Sequence, residues 1–292
     1  MKQAISLKYS SRQLLSNVSF YSGYYLLSEY LKLNRGVRIL CFHGVSDNPT
    51  NRYAVSASDF SRQMRFLAEN YKIIPVGQIP ELLQSGQEIA PNLVAVTIDD
   101  GYRDFFDYAF PVLQQYAIPA TVFLPTGLID SNSKYEKKLP QSEFLTWKQI
   151  RKMHQAGIEF GSHSVSHASL TSLTRQETQY ELEYSKARLE AELSMSAKGF
   201  AYPYGTFRDT DPKIGELIAN IGYSWALTSV SGVNREGTNI FALRRTVILR
   251  EDGLAGFKRA LKGALDGWIV MQKCGYYLER MRAIRNLFRA DR

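Results

Sequence analysis

The feature that most constrains the fold is a regular alternation of short apolar runs with longer amphipathic stretches. Residues 37–42, 72–75, 93–98, 120–124, 158–161, 199–202, 223–228 and 246–249 read as strands. Between them, residues 57–70, 103–116, 147–156, 175–193 and 212–221 carry helical spacing. Thr146 followed by Gln149 is the signature of a capping box opening one of these helices. Strands that alternate with helices argue for βα units and a parallel sheet. Seven or eight such units suggest a closed or nearly closed barrel. The length of 292 residues suits one α/β barrel of roughly 250 residues with extensions.

Two flanks depart from this pattern. Residues 11–33 read as a helix rich in Leu and Tyr (Leu14, Leu15, Tyr24, Tyr25, Leu27, Leu31). Residues 254–292 hold nine basic side chains against three acidic ones, interleaved with Trp268, Ile269, Met271, Tyr276, Tyr277, Leu278, Met281, Ile284, Leu287 and Phe288. That is a basic amphipathic pattern able to lie on an anionic membrane surface. The alternative is a pair of terminal helices packed on the barrel with a solvated basic face. The expected division is therefore a helical extension over 1–34, a barrel over 35–252 and amphipathic helices over 253–292.

Charge and cysteine usage bound the partners and the compartment. An apolar fraction of 45% with 22% charged residues excludes a disordered chain. A net charge of +8 points to an anionic partner, either a phosphate-bearing substrate, a membrane surface or nucleic acid. No nucleic-acid-binding motif accompanies the charge, so nucleic acid is not expected. The two cysteines, Cys41 and Cys274, fit a reducing compartment, and Cys41 sits in an apolar run as a buried thiol would. The N-terminus has no sustained apolar region before a small-residue cleavage site. No run reaches the ~18 apolar residues that cross a bilayer. The expectation is a cytoplasmic protein, peripheral on the inner face of the membrane if the basic tail binds there.

Three motifs carry chemistry, each directly after a strand. The run 93–98 leads into Asp99-Asp100-Gly101-Tyr102, where barrel enzymes place reacting groups. Adjacent carboxylates repel, and a divalent cation held by one keeps both ionised. Asp-Gly is equally a common strand-ending turn. The second motif is Gly161-Ser162-His163-Ser164-Val165-Ser166-His167. Histidines four apart converge on one ion where the segment turns helically, although surface helices also produce that spacing. His154, on the preceding helix, reads as structural or exposed. The third, Phe200-Ala201-Tyr202-Pro203-Tyr204-Gly205, is a stiff turn whose backbone N–H groups can face the barrel mouth, or a loop packed by its tyrosines.

Taken together and in this order, the motifs resemble those of the polysaccharide deacetylase family, the NodB-homology domain of carbohydrate esterase family four. The likeness runs from about residue 37 to 250 and includes Val122-Phe123-Leu124-Pro125-Thr126-Gly127 and Phe144-Leu145-Thr146-Trp147. It implies a distorted (β/α)7 barrel that removes acetyl groups from sugars. Carried over residue by residue, Asp100, His163 and His167 would hold a divalent metal, expected to be zinc, with Fe2+, Ni2+ or Co2+ as alternatives. Asp99 would be the general base, and the backbone N–H of Tyr204 would help hold the oxyanion. Two His and one carboxylate leave coordination positions free for water and the acetyl oxygen.

Two departures from the family pattern stand out. The third motif usually begins with an Arg that orients the base, and here that position is Ala201. The usual late histidine, the acid that protonates the leaving amine, is also missing, since no His follows His167. His43, at the end of the first strand, could replace it, because the first and last strands of a barrel are neighbours. Arg244 or Arg245 could replace the Arg. The expected function is N-deacetylation of an amino sugar in a bacterial glycan or lipid-linked precursor. The alternatives are an O-acetyl carbohydrate esterase and an inactive protein that binds metal and sugar.

Overall fold

The computed structural model describes residues 12–19, 21, 22, 30, 35–90, 92–130 and 143–290, the side chains of 283–290 excepted. Of the residues singled out in the flanks, Tyr24, Tyr25, Leu27 and Leu31 lie outside this set, as do the side chains of Ile284, Leu287 and Phe288. The strands are β1 (Arg38–Phe42), β2 (Val45–Ser46), β3 (Val55–Ser56), β4 (Lys72–Ile73), β5 (Leu93–Ile98), β6 (Ala120–Leu124), β7 (Glu159–Ser162), β8 (Gly199–Ala201), β9 (Trp225–Leu227) and β10 (Thr246–Val247). The α-helices are α1 (residues 12–19), α2 (Ala57–Asn70), α3 (Ile79–Gln84), α4 (Phe110–Gln115), α5 (Trp147–Gln155), α6 (Arg175–Leu193), α7 (Pro212–Asn220), α8 (Gly253–Leu261) and α9 (Trp268–Ala290).

The main sheet runs β10-β1-β5-β6-β7-β8-β9, all pairs parallel, with β4 added beside β5. A single parallel bridge, Leu227 to Leu243, joins β9 to the segment that becomes β10. Seven strands thus curl into a ring closed at one narrow seam. This is the (β/α)7 architecture the sequence predicts.

Side-chain alternation divides the strand residues into two sets. Ile39, Ala95, Phe123, Ala201, Trp225, Leu227 and Leu243 fill the barrel interior. Leu40, Phe42, Val94, Val96, Ile98, Val122 and Leu124 point outward and are covered by helices, among them α2 through Phe60, Met64 and Leu67. The same alternation carries Cys41 and His43 inward after Ile39, Thr97 and Asp99 after Ala95, and Arg245 after Leu243.

Helices α2 and α6 occupy the predicted residues, and the Thr146–Gln149 capping box opens α5. The stretch read as one helix over 103–116 is instead a π-helical turn, Phe105–Ala109, followed by α4. Pro111 has no N–H to donate, and the wide turn lets the Phe110 N–H reach Phe105. The basic C-terminal stretch also divides. Phe257, Ala260, Leu261 and Leu265 are core, whereas α9 lies across the mouth of the barrel. Among the described residues no helix is long and apolar enough to cross a membrane.

Candidate active site

Asp99 and Asp100 follow β5 directly, and the chain turns so sharply there that Asp100 has φ +75°. Asp99 is 2% exposed and Arg245 is fully buried, and the two form a bidentate pair. Arg245 Nη1 donates to Oδ1 and Nη2 to Oδ2, each at 2.7 Å. The guanidinium is itself fixed, since its Nε donates to the Thr228 carbonyl at 2.8 Å. The Cys41 thiol, buried as expected, donates to Asp99 Oδ2 at 3.5 Å. Burial acts to raise the Asp99 pKa, but the Arg245 charge and hydrogen bonds, with His163 and His43 nearby, together hold the carboxyl below its ordinary range. Of the two candidates for the missing Arg, the structure sets Arg245 on Asp99 and turns Arg244 to the opposite side.

His163 and His167 meet Asp100 from the turn after β7. His163 Nε2 lies 3.5 Å and His167 Nε2 3.3 Å from the same oxygen, Asp100 Oδ1. All three side chains are buried. The Nδ1 of His163 is 2.7 Å from the Ala201 carbonyl, to which it can only donate. In a neutral imidazole that leaves the Nε2 lone pair facing a carboxylate oxygen. Such an arrangement is repulsive unless protons or a shared cation lie between the groups. Ligand atoms ~2.0–2.2 Å from a tetrahedral ion sit about 3.4 Å apart, which matches the two separations observed. Burial acts to lower the His163 pKa, yet the Asp99 and Asp100 charges raise it, so the site favours positive charge. The residues fit a divalent ion.

The turn that presents His167 is supported by a residue the motifs did not reveal. Glu181, on α6, accepts the Val165 and Ser166 N–H groups at 2.7 and 2.9 Å and the Ser166 hydroxyl at 2.6 Å. Its only signal in the sequence is a carboxylate on what becomes the buried face of α6. Eight described residues other than glycine have clearly positive φ, and Asp100, Ser164, His167 and Tyr204 account for half of them. Left-handed backbone in such residues is costly and persists where the surroundings enforce it.

Tyr204 has φ +61°, a half-exposed ring, and a ring centroid 4.9 Å from that of His167. Gly205 donates to the Pro203 carbonyl and accepts from the Ser229 N–H, both at 2.7 Å. A Cβ at Gly205 would lie 2.6 Å from the Ser229 nitrogen, so the close approach of these loops requires glycine.

His43 is half-buried at the end of β1, with its ring centroid 5.2 Å from that of Tyr53. Its nearest ring nitrogen, the Cys41 sulfur and an Asp99 oxygen lie within 4.8 Å of one another. Because Arg245 occupies both oxygens of Asp99, this second cluster is the poorer metal site. Burial lowers the His43 pKa against the pull of Asp100 and Asp99. His154 lies apart on α5, its Nδ1 3.4 Å from the Ile158 carbonyl oxygen, in the structural role expected for it.

His43, Asp99, Asp100, His163, His167 and Tyr204 line a cavity of about 400 Å³, within the range of small-ligand sites. Its outer wall includes Arg12 of α1 and Trp268 and Gln272 of α9. The sequence pattern marks both flanks only as helices, with Trp268 among the apolar positions of the second, and gives no sign that Arg12, Trp268 and Gln272 line the pocket.

A family model described as polysaccharide deacetylase matches residues 86–224. A putative polysaccharide deacetylase, YxkH of Bacillus subtilis, is 27% identical over 219 residues, 75% of this chain and 72% of the relative. The poly-beta-1,6-N-acetyl-D-glucosamine N-deacetylase of Escherichia coli is 26% identical over 274 residues, 81% of this chain but 40% of the relative. The chain thus spans well under half of that longer protein. In fold it is similar to the Streptococcus pyogenes deacetylase PplD, solved in complex with acetate, with a TM-score of 0.67 at 24% identity over 77% of this chain and 98% of that one. The ring of parallel strands, the convergence of the three motifs at its mouth and these likenesses agree: the chain is similar to polysaccharide deacetylases in sequence over residues 86–224 and in fold over most of its length.

Proposed function

We propose that this protein removes the N-acetyl group from an amino sugar in a bacterial glycan or lipid-linked glycan precursor. The observation that carries this reading is the convergence of Asp99, Asp100, His163 and His167 in one pocket, with Arg245 on the carboxylate left outside the ligand set. Asp100, His163 and His167 would hold the metal, expected to be zinc. When bound, the ion supplies Lewis acidity at the acetyl carbonyl and a nucleophile at neutral pH. Asp99, kept ionised by Arg245, takes a proton from the attacking water. The Tyr204 N–H donates to no protein acceptor among the described residues and is available to the developing oxyanion. As the C–N bond breaks, the amine takes a proton from the His43 imidazolium, which forms by taking up the proton that Asp99 removed from the water. Its burial-lowered pKa means that its imidazolium, once formed, gives up a proton readily. The products are acetate and the free amino sugar.

The name of the E. coli relative supports an N-acetylated glycan as substrate. An inactive metal- and sugar-binding protein was the alternative suggested by the missing Arg and late His, and Arg245 removes half of its basis. Asp99→Asn is expected to reduce acetate release by about 10²–10⁴-fold while metal stays bound. Undiminished release by that variant would refute the assigned base. Comparing matched amide and ester substrates separates the N-deacetylase from an O-acetyl esterase.

We also propose that the protein works at a membrane surface, on the cytoplasmic side. Val270, Tyr277 and Met281 follow one another along α9 at helical spacing and are exposed, with Lys273, Arg280 and Arg282 on the same helix. The barrel is the unit expected to do the chemistry, and the segments flanking 35–252 are the ones expected to position it. Because Trp268 and Gln272 line the pocket, α9 is better tested by substitution than by deletion. Tyr277→Glu with Met281→Glu should abolish flotation with anionic liposomes while acetate release from soluble oligosaccharides stays intact. Equal flotation of variant and wild type would exclude this face.

A further inference from the structure

A second cavity, of about 420 Å³, adjoins the first. We propose that it is a subsite for an anionic group, phosphate or carboxylate, carried by the same glycan, with Arg244 as its anchor and Arg235 and Lys273 beside it. The proposal rests on the deacetylase reading of the neighbouring pocket. The two cavities share one wall. In the loop after β9, Ser229 and Ser231 face the catalytic pocket, while Thr228 and Val230 face the second cavity. Along α9, Trp268 and Gln272 line the first and Ile269 and Lys273 the second. A glycan leaving the catalytic mouth over this ridge would reach the second cavity at once.

The charge of the second cavity is distinctive. Arg235, Arg244 and Lys273 line it, and Glu236 is the one carboxylate among its lining residues. None of the three cations is paired with a carboxylate among the described residues. By contrast Arg35, Arg52, Arg62, Arg65, Arg103, Arg151, Arg188 and Arg208 all have acidic partners. Three such unpaired cations thus share one concavity directly beside the site.

Arg244 is also held in place. The buried Asn234 side chain accepts its N–H at 2.8 Å and donates to its carbonyl at 2.9 Å. Gly232, at φ +142°, lies under the arginine side chain, and a Cβ there would come within 3.0 Å of Arg244 Cδ. The alternation that sends Arg245 to Asp99 sends Arg244 to the opposite side. With its backbone held in this way, Arg244 presents a planar guanidinium at the cavity wall, which suits bidentate contact with a phosphate or carboxylate. The Thr210, Thr238 and Asn239 side chains add neutral polar contacts for sugar hydroxyls. A neighbouring sugar already converted to its cationic amine would be repelled. The subsite thus favours a target unit next to an acidic group over one next to a deacetylated unit.

The test uses the full chain, metal-loaded, with matched N-acetylated oligosaccharides that are neutral, phosphate-bearing or uronate-bearing. Wild type should show a KM about tenfold lower for the acidic substrates, the change expected from about 1.4 kcal/mol of binding. Arg244→Gln with Lys273→Gln should abolish that advantage while leaving kcat, and KM for the neutral substrate, unchanged. Inorganic phosphate and glucuronate are titrated separately by NMR, a readout independent of turnover. A preference for either ion upholds the subsite and names its group. Absence of both ion binding and a charge-dependent KM in wild type overturns it, as does a variant that keeps both. If the ions bind wild type and not the variant, yet no glycan releases acetate, the deacetylase reading fails and the anion site stands.

Discussion

At the scale of single residues, the pairing of Asp99 with Arg245 decides how the site works. A carboxylate buried beside a second carboxylate needs a fixed counter-charge, and the bidentate guanidinium supplies it. Replacing Arg245 with Met should destabilise the fold by roughly 3–5 kcal/mol, because it strands a buried charge. Denaturant unfolding of the metal-free protein reads that loss, and a change under about 1 kcal/mol would contradict it. The four central residues were legible in the sequence because each directly follows an apolar strand at a recognisable spacing. Arg245 was not separable from Arg244, since inward or outward orientation depends on the register of β10 against β1. Glu181 was illegible for a similar reason. A carboxylate in an amphipathic helix reads as solvated until the partner turn is known.

At the scale of elements, α9 links the surface to the chemistry. Gln272 donates to the Ser229 carbonyl at 3.1 Å and accepts the Ser231 N–H at 3.0 Å, clamping the loop after β9. Ser229 in turn holds Gly205, next to the Tyr204 N–H. Gln272→Ala should therefore lower kcat several-fold through the loosened turn with little change in metal content, whereas Gln272→Glu, which loses the donor alone, should fall between. Unaltered kcat in Gln272→Ala would show that the clamp does not reach the turn. Most elements could be read from pattern because strands buried on both faces and capped amphipathic helices announce themselves locally. The π-turn before Pro111 and the role of α9 could not, the first depending on how the chain relieves a missing donor and the second on what the helix packs against.

For the whole molecule, metal binding should be coupled to folding, because the proposed ligands Asp100, His163 and His167 come from segments far apart in sequence. A ligand that binds the native state alone stabilises it by RT ln(1 + [L]/Kd), about 2.7 kcal/mol at a hundredfold excess over Kd. Chelation should accordingly lower the Tm by several degrees, with recovery on adding Zn2+. An unchanged Tm, with metal loss verified by elemental analysis, would place the ion elsewhere. The barrel closes at the narrow seam between β9 and β10, and the strand that closes it follows directly on Arg245. During synthesis Asp99 emerges 146 residues before its partner, a delay of about 7–30 s at ~5–20 residues per second. For that interval the emerging chain holds a carboxylate at the end of an apolar strand without the arginine that pairs with it in the folded ring. The order of translation therefore leaves the Asp99–Arg245 pair and the seam of the ring among the last contacts of the barrel that the nascent chain can make.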